Sequence, residues 1–258
     1  MISISSEQVT PQLYNLFNTN DPAATRCFNV LAGMMRGGKI FTDDPANPTW
    51  GVVQESYDGT VFLGGVIDQE TAHQIFTTLR RQGDIIVLLP DDDTRLDLLP
   101  SEPHYDGRIL EFYDRPVGQE LDHILNQIPE RLKLCRMDRD LVMRTQWGPD
   151  DVEWWGGLDG WEQNQLGFVL MEGDKIVSEA SVGPSTTGVR EPGVITHEDH
   201  WRNGYGTLVS ARLVQEIESL GDTTFWNCTK QNVGSAAIAR NLGYTFEKEF
   251  RNMHWKAL

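Results

Sequence analysis

Cysteine is scarce in this chain: three in 258 residues, at Cys27, Cys135 and Cys228, far apart and without a C-x-x-C pair. That argues against a disulfide framework or a structural zinc site and fits a reducing compartment. Long apolar runs are also missing. The longest, Ile85–Leu89, falls far short of the ~20 residues that cross a bilayer. The start, Met1-Ile2-Ser3-Ile4-Ser5-Ser6-Glu7-Gln8, lacks the basic and apolar segments of a leader. The expectation is a soluble, cytoplasmic protein with no membrane partner. Positive charge is the third shortage. Against 38 acidic residues stand 22 Lys and Arg, a net charge of −16. Nucleic-acid binding needs clustered cations to displace phosphate counterions, so no nucleic-acid partner is expected.

What remains is an ordinary folded composition: 39% hydrophobic, 23% charged, 9% aromatic, with eight Trp. The length admits one large domain or two of about 100–150 residues. Charge is uneven: residues 1–128 carry 19 acidic and 8 basic side chains, residues 129–258 carry 19 and 14. The first half is thus the more attractive to a cation, although a solubilising surface accounts for most of these charges.

Helices are expected at 11–17 and 22–35, followed by a meander of short strands at 39–41, 50–54 and 60–63, punctuated by Asp43-Asp44-Pro45, Asn47-Pro48 and Asp58-Gly59. The apolar spacing of Ala72, Ile75, Phe76 and Leu79 predicts a helix over 68–81, ahead of a buried strand at Ile85–Leu89. Asp91-Asp92-Asp93 reads as a solvated turn and helix cap, not a metal site. A short helix near 94–98, a strand near 108–113 and a connecting helix at 119–127 lead to a boundary at Pro129. Beyond it a strand at 132–137 precedes a Trp-rich helical stretch. Strands at 167–171, 175–183 and 193–197 form a second meander, and a helix (204–220), strand (223–228), helix (233–242) and strand (244–255) close the chain. The two halves repeat one coarse order of elements, giving lobes at 1–128 and 129–258.

The chemistry concentrates in Val194-Ile195-Thr196-His197-Glu198-Asp199-His200-Trp201-Arg202-Asn203-Gly204-Tyr205-Gly206-Thr207. A strand feeds a Gly-containing turn into a helix start, where unpaired amides and the positive dipole end converge. That arrangement holds phosphate. Gly204 and Gly206 let the backbone approach closely, and Arg202 supplies a cation. Alone, the Gly-x-Gly pattern is weak, and a plain strand-to-helix turn is the simpler reading of it. Some 25 residues on, after the next strand, stands Asn232-Val233-Gly234-Ser235-Ala236-Ala237-Ile238-Ala239-Arg240-Asn241-Leu242-Gly243-Tyr244.

The two motifs, in this order and spacing, resemble the coenzyme A-binding core of the GNAT superfamily of N-acetyltransferases, and the resemblance covers residues 130–258. It implies an α/β fold of mixed sheets, a C-terminal GNAT acyltransferase domain preceded by a degenerate GNAT-like lobe. It further implies acetyl-CoA as cosubstrate and no metal. By position, the backbone of Trp201, Arg202, Asn203, Gly204, Tyr205, Gly206 and Thr207 would hold the diphosphate. Ile195 and Thr196 would pair with the pantetheine arm, and Asn232 and Ser235 would contact the cofactor from the other side. The thioester would sit where strands 193–197 and 223–228 splay. Two departures stand out: Trp201 replaces the usual Gln or Arg, and Ala239 replaces the Tyr that protonates the leaving thiolate. For the general base the candidates are Glu191, His197 and Glu198, with Glu191 and His197 preferred. In the first lobe, Leu63-Gly64-Gly65-Val66-Ile67-Asp68-Gln69-Glu70 repeats the junction, but Asp68 and Glu70 would repel a diphosphate, so that lobe is expected not to bind coenzyme A. The two-lobed plan is similar to the group that includes the zwittermicin A resistance acetyltransferase. The implied reaction is acetylation of a primary amine on a small, cationic metabolite or antibiotic by a monomer or homodimer. Acetylation of a protein amino group and a coenzyme A sensor without turnover are the alternatives.

Overall fold

The computed structural model describes residues 1–116, 118 and 121–258. The chain divides into two compact units. The first comprises Met1–Glu111, Thr229–Gln231 and Lys248–Leu258, and the second Phe112–Cys228 and Asn232–Glu247. The final strand therefore returns to the first unit. Its residues pair antiparallel with Ile85–Leu89, from Arg251 opposite Leu89 to Trp255 opposite Ile85, a partnership that no local pattern announces.

In the first unit a four-stranded antiparallel sheet runs Ile2–Ile4, Lys39–Thr42, Trp50–Gln54, Val61–Gly65. The strands Trp50–Gln54 and Val61–Gly65 are buried along nearly their whole length, on both faces, which explains their largely apolar character. The helix Gln69–Arg80 lays Ala72, Ile75, Phe76 and Leu79 into the core beside Val52, Leu63, Val87 and Trp255. Asp68 caps it by accepting from the Thr71 amide at 2.8 Å, as its N-cap position predicts. The acidic turn at 91–93 is tied down: Asp93 caps the turn Thr94–Leu98 and, with Asp21, grips the Arg95 guanidinium in a fork.

The second unit is built on an antiparallel sheet in the order Gly193–Thr196, Lys175–Val182, Leu166–Glu172, Leu132–Arg136. The helix Tyr205–Ser219 packs on this sheet with Leu208, Val209, Ala211, Leu213, Val214 and Ile217 buried. The short helices Arg139–Val142, Gly148–Trp154 and Leu158–Asn164 supply a separate core of Val142, Val152, Trp155 and Trp161 against Met137, Val169 and Met171. Of the connecting helix expected at 119–127, the structure shows Asp122–Leu125; Gln119 and Glu120 lie outside the described residues. Among the described residues no helix is long and apolar enough to cross a membrane, and no group of three or more His, Cys, Asp or Glu is placed to hold a metal ion.

Candidate active site

The second unit contains a pair of parallel strands that come together and then part. Val189–Arg190 pairs with Thr223–Thr224, and the Phe225 amide makes one more bond, to the Arg190 carbonyl at 3.0 Å. Arg190 fastens this end by donating to Asp222 at 2.5 Å and to the Gly183 carbonyl at 3.1 Å. Pro192 follows, and with no N–H to offer it cannot extend the ladder. Beyond it, Gly193–Thr196 pairs with Lys175–Val182 alone and forms the edge of its sheet, while Trp226–Thr229 belongs to a different sheet.

The antiparallel register decides which groups that edge exposes. The His197 amide donates to the Val177 carbonyl at 3.1 Å, and Ile195 stands opposite Glu179. Hydrogen-bonded and non-bonded pairs alternate in such a ladder, so Ile195 turns its main chain toward the neighbouring strand. The main-chain groups on the free edge are those of Val194 and Thr196. The Thr196 carbonyl is already taken by the Trp201 indole N–H at 2.7 Å, a bond that fixes a ring 65% exposed. Thr196 Oγ1 and Ser178 Oγ lie 2.8 Å apart.

The turn that follows is a concavity of amides. Arg202 and Gly204 both have left-handed backbone, φ +65° and +77°, and such residues beside ordinary helical ones aim successive N–H groups at one point. Leu208 is the first amide of the helix Tyr205–Ser219 to bond back, to the Gly204 carbonyl at 3.1 Å. Among the described residues none of the amides at 202–207 has a partner, and no acidic side chain stands in the first turn. Anion binding is what this geometry is suited to. Gly206 is closely packed: a β-carbon there would stand 2.9 Å from Ile238 Cδ1 and 3.2 Å from Thr196 Oγ1. The helix Val233–Asn241, the edge strand and the turn thus meet at Gly206.

Of the expected cofactor residues, Ile195 spends its main chain on the neighbouring strand and leaves the free edge to Val194 and Thr196. The remaining ones gather at the turn and at the start of the helix Val233–Asn241, not all by their side chains. Tyr205 is buried, its hydroxyl accepting from Arg131 at 2.7 Å. Asn203 reaches back to the His200 carbonyl. Asn232 caps its helix by accepting the Ser235 amide at 3.0 Å, and the Ser235 hydroxyl accepts the Trp226 indole N–H at 2.9 Å. Ala239 is fully buried and brings no hydroxyl. Of the expected bases, Glu191 is half-buried where the strand pair ends. His197 leaves its side chain 57% exposed, with Nδ1 accepting the Asp199 amide at 3.4 Å. Glu198 is exposed in the short turn Glu198–His200.

One group was not singled out from sequence. Glu179 lies on the face that Ile195 shares, 5% exposed. Its carboxylate accepts the amides of Gln146 at 2.9 Å and Trp147 at 3.2 Å. Burial pushes its pKa up, against those two bonds. Asp151 is pushed up to about 6, by burial first and then by the charges of Glu179 and Asp150. The Trp147 ring lies on Gly193, 3.1 Å from where a β-carbon would stand. The available signal was a lone Glu in an otherwise small and apolar strand, Val177-Ser178-Glu179-Ala180.

A strand pair that parts beside an amide concavity, with a second helix closing on it, is the architecture of an acyltransferase that grips its donor by the backbone. The chain belongs to the GNAT acetyltransferase family, which it matches over residues 15–253. The match takes in parts of both compact units, well beyond the region that carries the sequence motifs. The chain is 25% identical over 126 residues to the uncharacterized N-acetyltransferase YdfB of Bacillus subtilis, which covers 48% of each protein; the chain thus spans about half the length of that curated relative. Two solved structures share the fold along nearly the whole chain. The GCN5-related N-acetyltransferase-like protein of Streptococcus suis matches at TM-score 0.71 with 22% identity, covering 98% of this chain and 100% of that one. A tandem GNAT protein from the clavulanic acid biosynthesis pathway matches at TM-score 0.64 with 10% identity, covering 100% and 98%.

Proposed function

We propose that the protein is an N-acetyltransferase that moves the acetyl group of acetyl-CoA to a primary amine of a small, cationic metabolite or antibiotic, within a ternary complex. The observation that carries this reading is the run of unpartnered amides at 202–207 beside the free edge of Val194 and Thr196. The residues present fit the donor. The concavity offers positive backbone dipoles where a diphosphate needs them, and the strand edge offers main-chain donors and acceptors where an amide-bearing arm needs them. Bound acetyl-CoA supplies an activated acetyl thioester. The amides of residues 202–207 would hold the diphosphate, with the Arg202 side chain beside it, while Val194 and Thr196 orient the arm. An edge-strand amide would polarise the acetyl carbonyl. His197 and Glu191, beside that strand, would relay protons between the site and solvent.

In this reading residues 129–258 form the catalytic lobe and residues 1–128 a lobe that does not bind the cofactor, and the protein works in the cytoplasm. Ala239 favours a second reading, a coenzyme A sensor without turnover, because its position lacks a proton donor for the departing sulfur. One experiment separates the two: calorimetry with acetyl-CoA, followed by thiol release with n-butylamine, spermidine and kanamycin. Uptake with release supports the enzyme, uptake without release the sensor, and no uptake overturns both.

A further inference from the structure

We infer that Glu179 and Trp147 together form the subsite for the acceptor's ammonium group, with Glu179 the base that takes its proton. This deepens the acetyltransferase reading and rests on it. Three observations meet. Glu179 is a carboxylate 5% exposed on the face of a sheet, and neither it nor its neighbour Asp151 has a basic side chain against it among the described residues. Burying a carboxylate without a cation is costly, and two main-chain amides offset only part of that cost. Second, Glu179 stands directly opposite Ile195 on the edge strand, the strand along which the acyl arm is proposed to lie. Third, Gly193, at the point where the strand pair parts, has no side chain, and the Trp147 ring occupies the space. Gly193 and Ile195 share one face of their strand, so ring and carboxylate are neighbours on it. An aromatic ring beside a carboxylate that has no cation against it is what an alkylammonium ion requires.

The chemistry balances. The ammonium passes one proton to the Glu179 carboxylate, and the neutral nitrogen forms a bond to the acetyl carbon as the carbon–sulfur bond breaks. The sulfur departs as a thiolate, and the second proton leaves the nitrogen to it through solvent. Glu179 returns its proton to solvent past His197, which lies two residues beyond Ile195 and reaches the surface. The titratable groups facing Glu179 are few. Its cross-strand partners Val169 and Ile195 are apolar. Asp151, with Asp150 behind it, faces it from the helix Gly148–Trp154, and His197 lies along the edge strand. With the carboxyl already held above its usual range by burial, its proton affinity lies nearer that of the acceptor than an exposed glutamate's would.

The test uses the full chain with Glu179→Gln, Trp147→Leu, and n-butylamine, spermidine and kanamycin as acceptors. Glu179→Gln keeps a carbonyl to accept an amide but cannot take a proton. It should lower kcat about a hundredfold, the usual share of a general base, and remove the acidic limb of the pH–rate profile, with acetyl-CoA affinity unchanged by calorimetry. Trp147→Leu should raise the amine KM about fivefold and leave kcat within about twofold of wild type. A readout independent of turnover is the 13C titration of the Glu179 carboxyl: n-butylammonium chloride should lower its pKa in wild type, and about fivefold more of it should be needed for the same shift in Trp147→Leu. Activity of Glu179→Gln within about threefold of wild type, on the same scale of effect, overturns the inference. So does wild type that binds acetyl-CoA yet releases thiol with none of the amines. Should Glu179→Gln not fold, an unmoved carboxyl titration in wild type is the refuting result. Failure of wild type to take up acetyl-CoA falls on the acetyltransferase reading instead.

Discussion

Gly204→Ala separates backbone conformation from contact, because nothing lies within 4 Å of the β-carbon it would add. The cost must come from φ +77°, a left-handed conformation that an L side chain adopts at about 1–2 kcal/mol. In a chain of this size that is a loss of roughly 2–8 °C in Tm. The turn could escape the strain only by rotating Gly204 to negative φ, which would swing neighbouring amides away from their common focus. The cofactor-dependent part is therefore separable by thermal denaturation with and without acetyl-CoA. At a hundred times Kd, binding stabilises wild type by about 2.7 kcal/mol, and a tenfold loss of affinity would halve that to about 1.4 kcal/mol. Both effects are expected together: a lower Tm without ligand and a ligand-induced shift about half that of wild type. Gly206→Ala is the control. Its β-carbon meets the movable end of Ile238, and Ala gains about 1 kcal/mol of helix propensity over Gly, so its unliganded Tm should change little. An unchanged ligand-induced shift in Gly204→Ala would refute the amide concavity as the diphosphate site.

Other perturbations follow from the same contacts. Asp151 has a folded-state pKa of about 6 against 3.8 for the ordinary group. The folded protein thus holds that proton more tightly, and the stability it contributes is present below about 4 and lost as pH rises through about 6. Asp151→Asn should remove this loss, so urea midpoints of variant and wild type should draw apart between pH 4 and 7 in the variant's favour. Arg95→Lys keeps the charge but not the fork that joins Asp21 and Asp93, and should cost about 1–3 kcal/mol in urea denaturation. Trp201→Phe removes the indole N–H from the Thr196 carbonyl. Since the ring is exposed, stability should fall by no more than about 1 kcal/mol, while acetyl-CoA affinity, measured by calorimetry, drops as the turn loosens.

Elements with a strong local pattern were legible in the sequence. The spacing of Ala72, Ile75, Phe76 and Leu79 placed a helix to within a residue of Gln69–Arg80, and five consecutive aliphatic residues marked Ile85–Leu89. The amide turn at 201–207 was legible for the same reason: strand, glycines and amphipathic helix are contiguous. What escaped depends on pairing. Ile2–Ile4 is too short to show an alternation, and it became a strand by lying against Lys39–Thr42. The run at 223–228 is interrupted at Phe225, where the first two residues pair with Val189–Arg190 and those after it join another sheet. Glu179 and Trp147 come together only once the register sets Glu179 against Ile195 and a bare Gly193 admits the indole. Neither fact is written in the neighbourhood of either residue.

The two lobes each contain a strand, a left-handed glycine and a helix start, yet only one should take up cofactor. In the first unit the strand Val61–Gly65 ends at Gly65, φ +78°. There several of the amides are already spent. Gly65 donates to the Leu16 carbonyl at 3.2 Å, Val66 to that of Thr49 at 3.1 Å, and Thr71 to the Asp68 carboxylate. That carboxylate, held below its usual pKa by the Thr71 amide and hydroxyl, already supplies the negative charge that the helix dipole favours. A diphosphate would have to displace these bonds and tolerate Asp68 and Glu70. At residues 202–207 no amide has a partner among the described residues, and no acid stands in the first turn of the helix. Calorimetry of the full chain should therefore give one acetyl-CoA per chain. Gly206→Trp should abolish the uptake entirely, and Asp68→Ala, which removes the helix cap, should lower the urea midpoint without adding a second equivalent. A stoichiometry of two, or uptake surviving in Gly206→Trp, would show that spent amides and a resident carboxylate do not decide which lobe binds.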